Sequence, residues 1–462
     1  GNFSEVITVT TTNDGSEDVT AEIQTALDEA ALLPAGAIVY LPAGLYRLDG
    51  ELTINSSNIV LRGAGAEQTK LFFTDAVTGI LVGNDLNFID NVSWQLTSDG
   101  AIFDTFVEVQ DPTGISVGDD IVIAWNITDA FRLEHNSSQW WNHVPFDGQR
   151  IFFRRVVTSL DGNRIYFKVP LRYPIKLRDM PVVRKVTNYI SGNAVEHLGI
   201  NTALSTVEDS WNGVDQTTAI TVTGCKDWWI QHVNSFAKDG EVYHLRSHGI
   251  YVQNSLRGTI THCNLERTQN LGNGGNGYLF PLSRSNEILV KDSIGRYGRY
   301  NFIVNWDFGT IGNVFLRVES TGGRICDQLQ DQLNDTCFES GSDFHHSLAI
   351  ANLFDTALIN DELNLGNRKE WSVGAGQTGT ENVFWNTSGS GNINSYNYGM
   401  GYVIGTAPEI TVSTDPYLTG WPFDRYATGT APEDFSEHLG FGSQLEPSSL
   451  YEDQLTKRLN QQ

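Results

Sequence analysis

Lysine is scarce in this chain of 462 residues, methionine occurs twice and cysteine four times, and no run of about 18 apolar residues is found. The last absence excludes a membrane-spanning helix from the sequence pattern. The shortage of cationic side chains leaves Lys+Arg at 30 against Asp+Glu at 55, a formal net charge of −25. That balance speaks against nucleic acid and anionic membrane surfaces as partners, and against a dense polyanion unless its groove is locally basic. No CxxC pair or Cys/His spacing of a zinc site is present. The Asp/Asn-rich turns leave calcium open but show no ordered calcium-loop spacing, so no metal or other cofactor is expected. Cys326 and Cys337 bracket the polar stretch CDQLQDQLNDTC and are expected to pair, whereas Cys225 and Cys263 lie in apolar strand contexts as buried thiols.

What is abundant points to β-structure. The 45 glycines and the many Asn and Thr residues suit a turn-rich β protein. One amphipathic helix is expected in the first half, DVTAEIQTALDEAA at 18–31, capped by Asp18 or Thr20. Short strands punctuated by Gly, Asn and Pro follow it. From 219 the chain repeats, with units starting at 219, 249, 277, 301 and 347, each a strand, a turn and a second strand. The steps are 30, 28, 24 and 46 residues, the last lengthened by the loop between Cys326 and Cys337. Further units are read at 371–386 and 401–413. A period in the twenties with two short strands per unit predicts a parallel β-helix. The LxxLxLxxN pattern of leucine-rich repeats is missing, and a propeller needs about forty residues per blade.

PAGLYRL followed by NIVLRGAG, with the helix before them, resembles the first rungs of the pectate-lyase-like superfamily. The resemblance implies an all-β, right-handed parallel β-helix, one domain over 1–462, with the helix capping the N-terminal end of the stack. Residues 116–173 resemble an insertion of some secreted members, giving an expected β-rich insert at about 98–195. SLYEDQLTKRL resembles their C-terminal tail, taken as 415–462. The superfamily includes polysaccharide lyases, glycoside hydrolases, epimerases and phage tailspikes, so the resemblance specifies the fold and not the reaction. It also implies a secreted, extracellular or periplasmic protein.

Equivalent positions on successive rungs lie about 4.8 Å apart, so residues remote in sequence form columns. Rungs aligned on Ile250-Tyr251-Val252, Tyr278-Leu279-Phe280, Phe302-Ile303-Val304 and Leu348-Ala349-Ile350 place His248, Asn276, Tyr300 and His346 in one column. Ser247, Gly275, Arg299 and His345 form the next. Strict strand alternation makes His345 and Arg299 the exposed pair and turns His248, Tyr300 and His346 inward.

Two chemistries fit these residues. Glycoside hydrolysis needs two carboxyl groups about 5–9.5 Å apart; Asp343 and Asp307 are the candidates, with Glu241, Asp239 and Glu266 as further ones. A lyase removes the proton α to a uronate carboxyl and needs a base and a cation; His345 or Tyr300, with Arg299 and Arg246, supply these. Trp306, Trp140 and Trp141 are candidate sugar platforms, and His346 a substrate-binding neighbour. The expected function is endo-type hydrolysis of an extracellular polysaccharide. β-Elimination on a uronate-containing glycan is the alternative, and a non-catalytic carbohydrate-binding protein comes third. The sugar, its linkage and sulfation, the stereochemical outcome and the oligomeric state are left open by the sequence.

Overall fold

The computed structural model describes residues 5–460 except 76, 90, 91, 136, 138, 139, 142–147, 206–215, 273, 274, 305, 327 and 415–433. The first part of the expected tail, 415–433, therefore lies outside the described residues.

The helix Thr20–Ala31 buries Ile23, Ala26, Leu27 and Ala30 against the first rungs, and Asp18 accepts the N–H of Thr20 at its start. Beyond it the chain winds into parallel rungs. One long sheet carries the strands of the flanks. A second runs from Leu52–Ile54 through Thr78–Gly83, Thr218–Thr223, His248–Gln253, Tyr278–Ser283, Tyr300–Val304, Phe338–Phe344, Glu362–Leu365 and Asn392–Ser395 to Thr411–Ser413. We call the second the site sheet. A single apolar column system fills the interior, with aromatic rings stacking from rung to rung, as Phe280 does on Phe302 at 4.9 Å. The abundance of Asn has a structural use. Asn313, Asn352, Asn382 and Asn397 form a buried ladder in which each side-chain amide meets the next at 2.9–3.0 Å. Among the described residues no helix is long and apolar enough to cross a membrane.

The register differs from the sequence alignment by two residues. Val252 lies opposite Leu282, and Tyr278 opposite Tyr300, so the partner of His248 is Tyr278 and not Asn276. On a regularly alternating strand a slip of two keeps every side chain on its own face, and a period-two pattern does not detect it. Leu348-Ala349-Ile350 does not belong to the site sheet: Ala349–Ile350 pairs with Gly379–Thr380 at a corner of the solenoid. The true rung strand is Phe338–Phe344, which follows Cys337 directly. Its polarity hides it, because Ser342 points inward to hydrogen-bond Ser320 at 3.2 Å. Cys326 and Cys337 are joined in a disulfide, and Cys225 and Cys263 are buried free thiols.

A six-stranded antiparallel sheet between Trp94 and Lys185 projects from the solenoid, and the chain rejoins the rungs by Ala194–Thr202. Its core, with Trp125 stacked on Phe152 at 3.5 Å, is shared with Phe308, Ile311, Leu348 and Ile350 of the solenoid corner. Buried Arg154 pairs with Asp120 at 2.7 Å and donates to the carbonyls of Gly224 and Asn254, which ties the insert to the rungs.

Candidate active site

The site grows from a local break in strand alternation. In the rungs starting at Tyr278 and Tyr300, two consecutive side chains face the interior: Leu279 and Phe280, then Asn301 and Phe302. The residues before and after each pair therefore share the outer face. Tyr278, Tyr300 and Ile303 form a cluster there, and the His248 ring lies 5.0 Å from that of Tyr278. His248 and Tyr300, expected to point inward, thus belong to the outer face. Burial, with Arg299 nearby, pushes the His248 imidazole down to about 4, so it is neutral at ordinary pH.

Asp343 pairs with Ile303 on one side and Asn364 on the other, and takes the same outward direction. The ladder continues one residue past the strand, as the His345 amide donates to the Val304 carbonyl. Asp343 and His345 are therefore outward neighbours at i and i+2. Asp343 Oδ2 meets His345 Nδ1 at 2.5 Å. Arg368 Nη1 donates to the same oxygen at 2.7 Å and lies 2.9 Å from His345 Nδ1. The second carboxylate oxygen of Asp343 has no hydrogen-bond partner among the described residues. Burial raises the Asp343 carboxyl above its usual range, opposed by the Arg368 guanidinium and by His346 and Arg299. His345 is only 5% exposed, its Nε2 lying 3.5 Å from Ser372 Oγ.

His346 does not turn inward either. Ser347 has φ 53°, which ends the strand geometry, and the His346 ring stacks on Trp306 at 4.1 Å while its Nε2 lies 2.7 Å from the Ser372 carbonyl oxygen. Trp306 is 39% exposed beside it. Arg299, expected to be exposed beside His345, is buried, with its guanidinium 5.2 Å from the Tyr300 ring centre.

The other expected residues are not gathered here. Asp307 is engaged by Arg150 Nη1 of the insert at 3.3 Å and accepts the Phe308 N–H, so it links insert to solenoid. Trp141 is 0% exposed. Its ring lies 5.0 Å from Phe308 in the insert core and its Nε1–H donates to the Gln377 carbonyl, which excludes it as a sugar platform. Trp140 is half-buried, its carbonyl taken by Arg132. Arg246 donates to the Ala203 carbonyl at 2.5 Å, and Glu241 is exposed on a turn closed onto Lys238.

Three groups near Asp343 and His345 escaped the sequence reading. Arg368 and Ser372 lie on the strap between Leu365 and Gln377. Glu362 lies on the next rung, opposite Gly341, and its Oε2 accepts from Asn364 Nδ2 at 3.1 Å. The available signal was weak: charged residues in NRKEW between two strand candidates. Burial pushes Glu362 up to about 7, against the opposing bond from Asn364. A carboxyl that holds its proton more tightly folded than unfolded destabilises the fold as pH rises from about 4.5 to about 7. Glu362→Gln removes that slope. In denaturant titrations it is expected to gain about 1–3 kcal/mol at pH 8 relative to its effect at pH 4. An equal effect at both pH values would exclude a buried, proton-holding Glu362.

Residues 3–153 match the family described as "Rhamnogalacturonase A/epimerase, pectate lyase-like". That match covers about the first third of the chain; the stacked parallel sheets give the described chain the fold of a right-handed parallel β-helix. Mannuronan C5-epimerase AlgE3 of Azotobacter vinelandii is 44% identical over 77 residues, 15% of this chain and 4% of that protein. AlgE5 of the same organism is 46% identical over 79 residues, 15% and 8%. The matched stretch thus spans less than a tenth of either epimerase. Among solved structures, the tailspike protein gp49 of Pseudomonas phage LKA1 is similar with TM-score 0.45 and 14% identity, over 92% of this chain and 77% of that one. The A-module of A. vinelandii mannuronan C-5 epimerase AlgE4 gives TM-score 0.37 and 10% identity, over 94% and 95%.

Proposed function

We propose that the protein is a secreted enzyme that cleaves a uronate-containing polysaccharide by β-elimination on the outer face of the site sheet. The observation that carries this reading is the Asp343–His345–Arg368 constellation. A carboxylate fixes the imidazole through Nδ1, and the Arg368 and Arg299 guanidiniums supply positive charge beside it. His345 Nε2 takes the proton α to the uronate carboxyl. The electron pair left on that carbon forms the new double bond as the glycosidic C–O bond breaks. Glu362, protonated near neutral pH, gives its proton to the departing oxygen. Arg299 and Arg368 offset the charge that develops on the carboxyl group. Tyr300, whose ring lies 5.4 Å from that of His345, walls the site, and Trp306 offers a flat apolar face to a sugar.

Substrate reaches Nε2 only when the strap over His345 lifts. Ser372 and Val373 hold φ of 53° and 63°, which is strained for residues other than glycine, and Val373 is 70% exposed. The strap's anchors are Arg368 on Asp343 Oδ2 and the Ser372 carbonyl oxygen at His346 Nε2.

Endo-hydrolysis is the second reading. It rests on the two outward carboxyls Asp343 and Glu362 on adjacent rungs. Asp343, already bound to Arg368 and His345, serves better as a positioning group than as a free nucleophile or base. A polysaccharide panel including uronate-containing and sulfated glycans separates the readings. The expected product is a new non-reducing end absorbing in the ultraviolet as a 4,5-unsaturated uronate. Reducing ends without that band would establish hydrolysis, and binding without shorter chains would overturn both.

A further inference from the structure

A second cleft, of about 510 Å³, lies on the flank sheet, separated from the His345 face by the solenoid corner on which the insert packs. Its floor is one outward column of aliphatic side chains on successive rungs, Leu289, Val314, Leu353 and Val383, in register with one another. The column runs on to Tyr402 and then Phe435, which line an adjoining apolar groove that shares Val383.

The upper rim is a column of left-handed turn residues, Arg257, Glu287, Gly312, Ala351 and Glu381, with φ between 48° and 69°. The charged members flank two small ones, and that gap opens the cleft. Arg172 of the insert reaches into it over Gly312, where a Cβ would collide with its guanidinium, and is held by Glu287 at 2.8 Å. On the far side of Ala351, Glu381 makes no hydrogen bond or ion pair among the described residues. Desolvation alone acts on its carboxyl and pushes it up to about 7. The lower rim is the C-terminal helix Leu450–Leu459, which presents Tyr451, Gln454 and Arg458.

An apolar floor about four rungs long, bordered by a half-buried carboxyl without partners and by guanidinium and amide groups, has the chemistry of a sugar site. Pyranose faces lie on apolar side chains while their hydroxyls take carboxylate and guanidinium partners. We propose that this cleft binds a short stretch of glycan chain running along the solenoid axis. Glu381 and Arg172 take its hydroxyls, and Leu353 and Val383 carry its faces. The cleft holds polymer beside the catalytic face and does not depend on which reaction that face performs.

The test uses the full chain carrying His345→Ala, so that no probe is consumed. Hexasaccharides of galacturonate, mannuronate and β-1,4-glucose are titrated by calorimetry. For at least one probe, two sites per chain are expected. Glu381→Ala and, separately, Leu353→Arg are expected to weaken one of them at least tenfold and leave the other unchanged. Both positions are half-exposed on the surface, and an unshifted thermal midpoint certifies each variant. If no probe fills a site that either substitution removes, the proposal is overturned. Failure of the β-elimination reading is seen separately, as the absence of unsaturated product from the protein with His345 intact.

Discussion

His345→Ala is expected to lower turnover by about 10²–10⁴-fold, the span that a positioned general base contributes, while moving the thermal midpoint by no more than a few degrees. The imidazole has two kinds of neighbour. Asp343 and Arg368 hold it, and they also hold each other at 2.7 Å. Loss of the ring therefore leaves the buried carboxylate paired. The packing lost is that of one ring at the end of a strand, beside Tyr300 and His346. A structural histidine would behave in the opposite way: a large fall in midpoint with activity retained would assign His345 to the fold. The pH dependence of kcat/KM adds a second readout, because removing the base removes the ascending limb that its titration produces.

Arg368→Ala carries the largest expected cost to stability, about 3–5 kcal/mol, the range for stripping one partner from a buried ion pair. The side chains of Arg368 and Asp343 are 3% and 1% exposed. Without the guanidinium, Asp343 keeps its desolvation cost and loses its main charge compensation. The sign of the pH dependence follows. Burial already raises the Asp343 carboxyl in the folded protein, so its ionisation costs stability as pH rises above the ordinary carboxylate range. Removal of Arg368 raises the folded-state value further and widens the window over which stability is lost. Denaturant titrations at pH 4 and pH 8 are expected to show a smaller difference between wild type and variant at the lower pH. Asp343→Asn in the Arg368→Ala background is expected to restore part of the loss. A difference independent of pH would mean that Arg368 acts by packing and not by charge.

Much of this architecture is legible in the residue pattern, and the limits have identifiable causes. The strand–turn–strand repeat, the apolar alternation and the amphipathic helix at 18–31 are local, and local periodicity reports them directly. The spacing DFH in 343–345 makes Asp343 and His345 neighbours on one face of any strand, because side chains two residues apart share a face. Register was not legible. Tyr278-Leu279-Phe280 and Phe280-Pro281-Leu282 offer equally good matches to Ile250-Tyr251-Val252 under strict alternation, and the break at Leu279-Phe280 that turns Tyr278 outward has no mark in the pattern. Nor did the pattern reveal FESGSDF as a rung, since its inward Ser342 is satisfied by a hydrogen bond and not by apolar contact.

The chain's own order of residues thus determined a stacked β-helix with a tied loop before SDFHH and an acid–histidine pair at its end. Tertiary structure alone decided which groups complete that pair. Arg368 follows Asp343 by 25 residues, on a strap with no periodic pattern, and reaches it only because one turn of the solenoid lays that strap across the previous rung. The same stacking turned Tyr278 and Tyr300 outward beside His345, buried Trp141 in the core that insert and solenoid share, and gave Asp307 to Arg150. Contacts along the solenoid axis depend on the length of each turn. Those lengths vary freely in loops, so the residues that meet across rungs are set by the folded stack and not by their spacing in the chain.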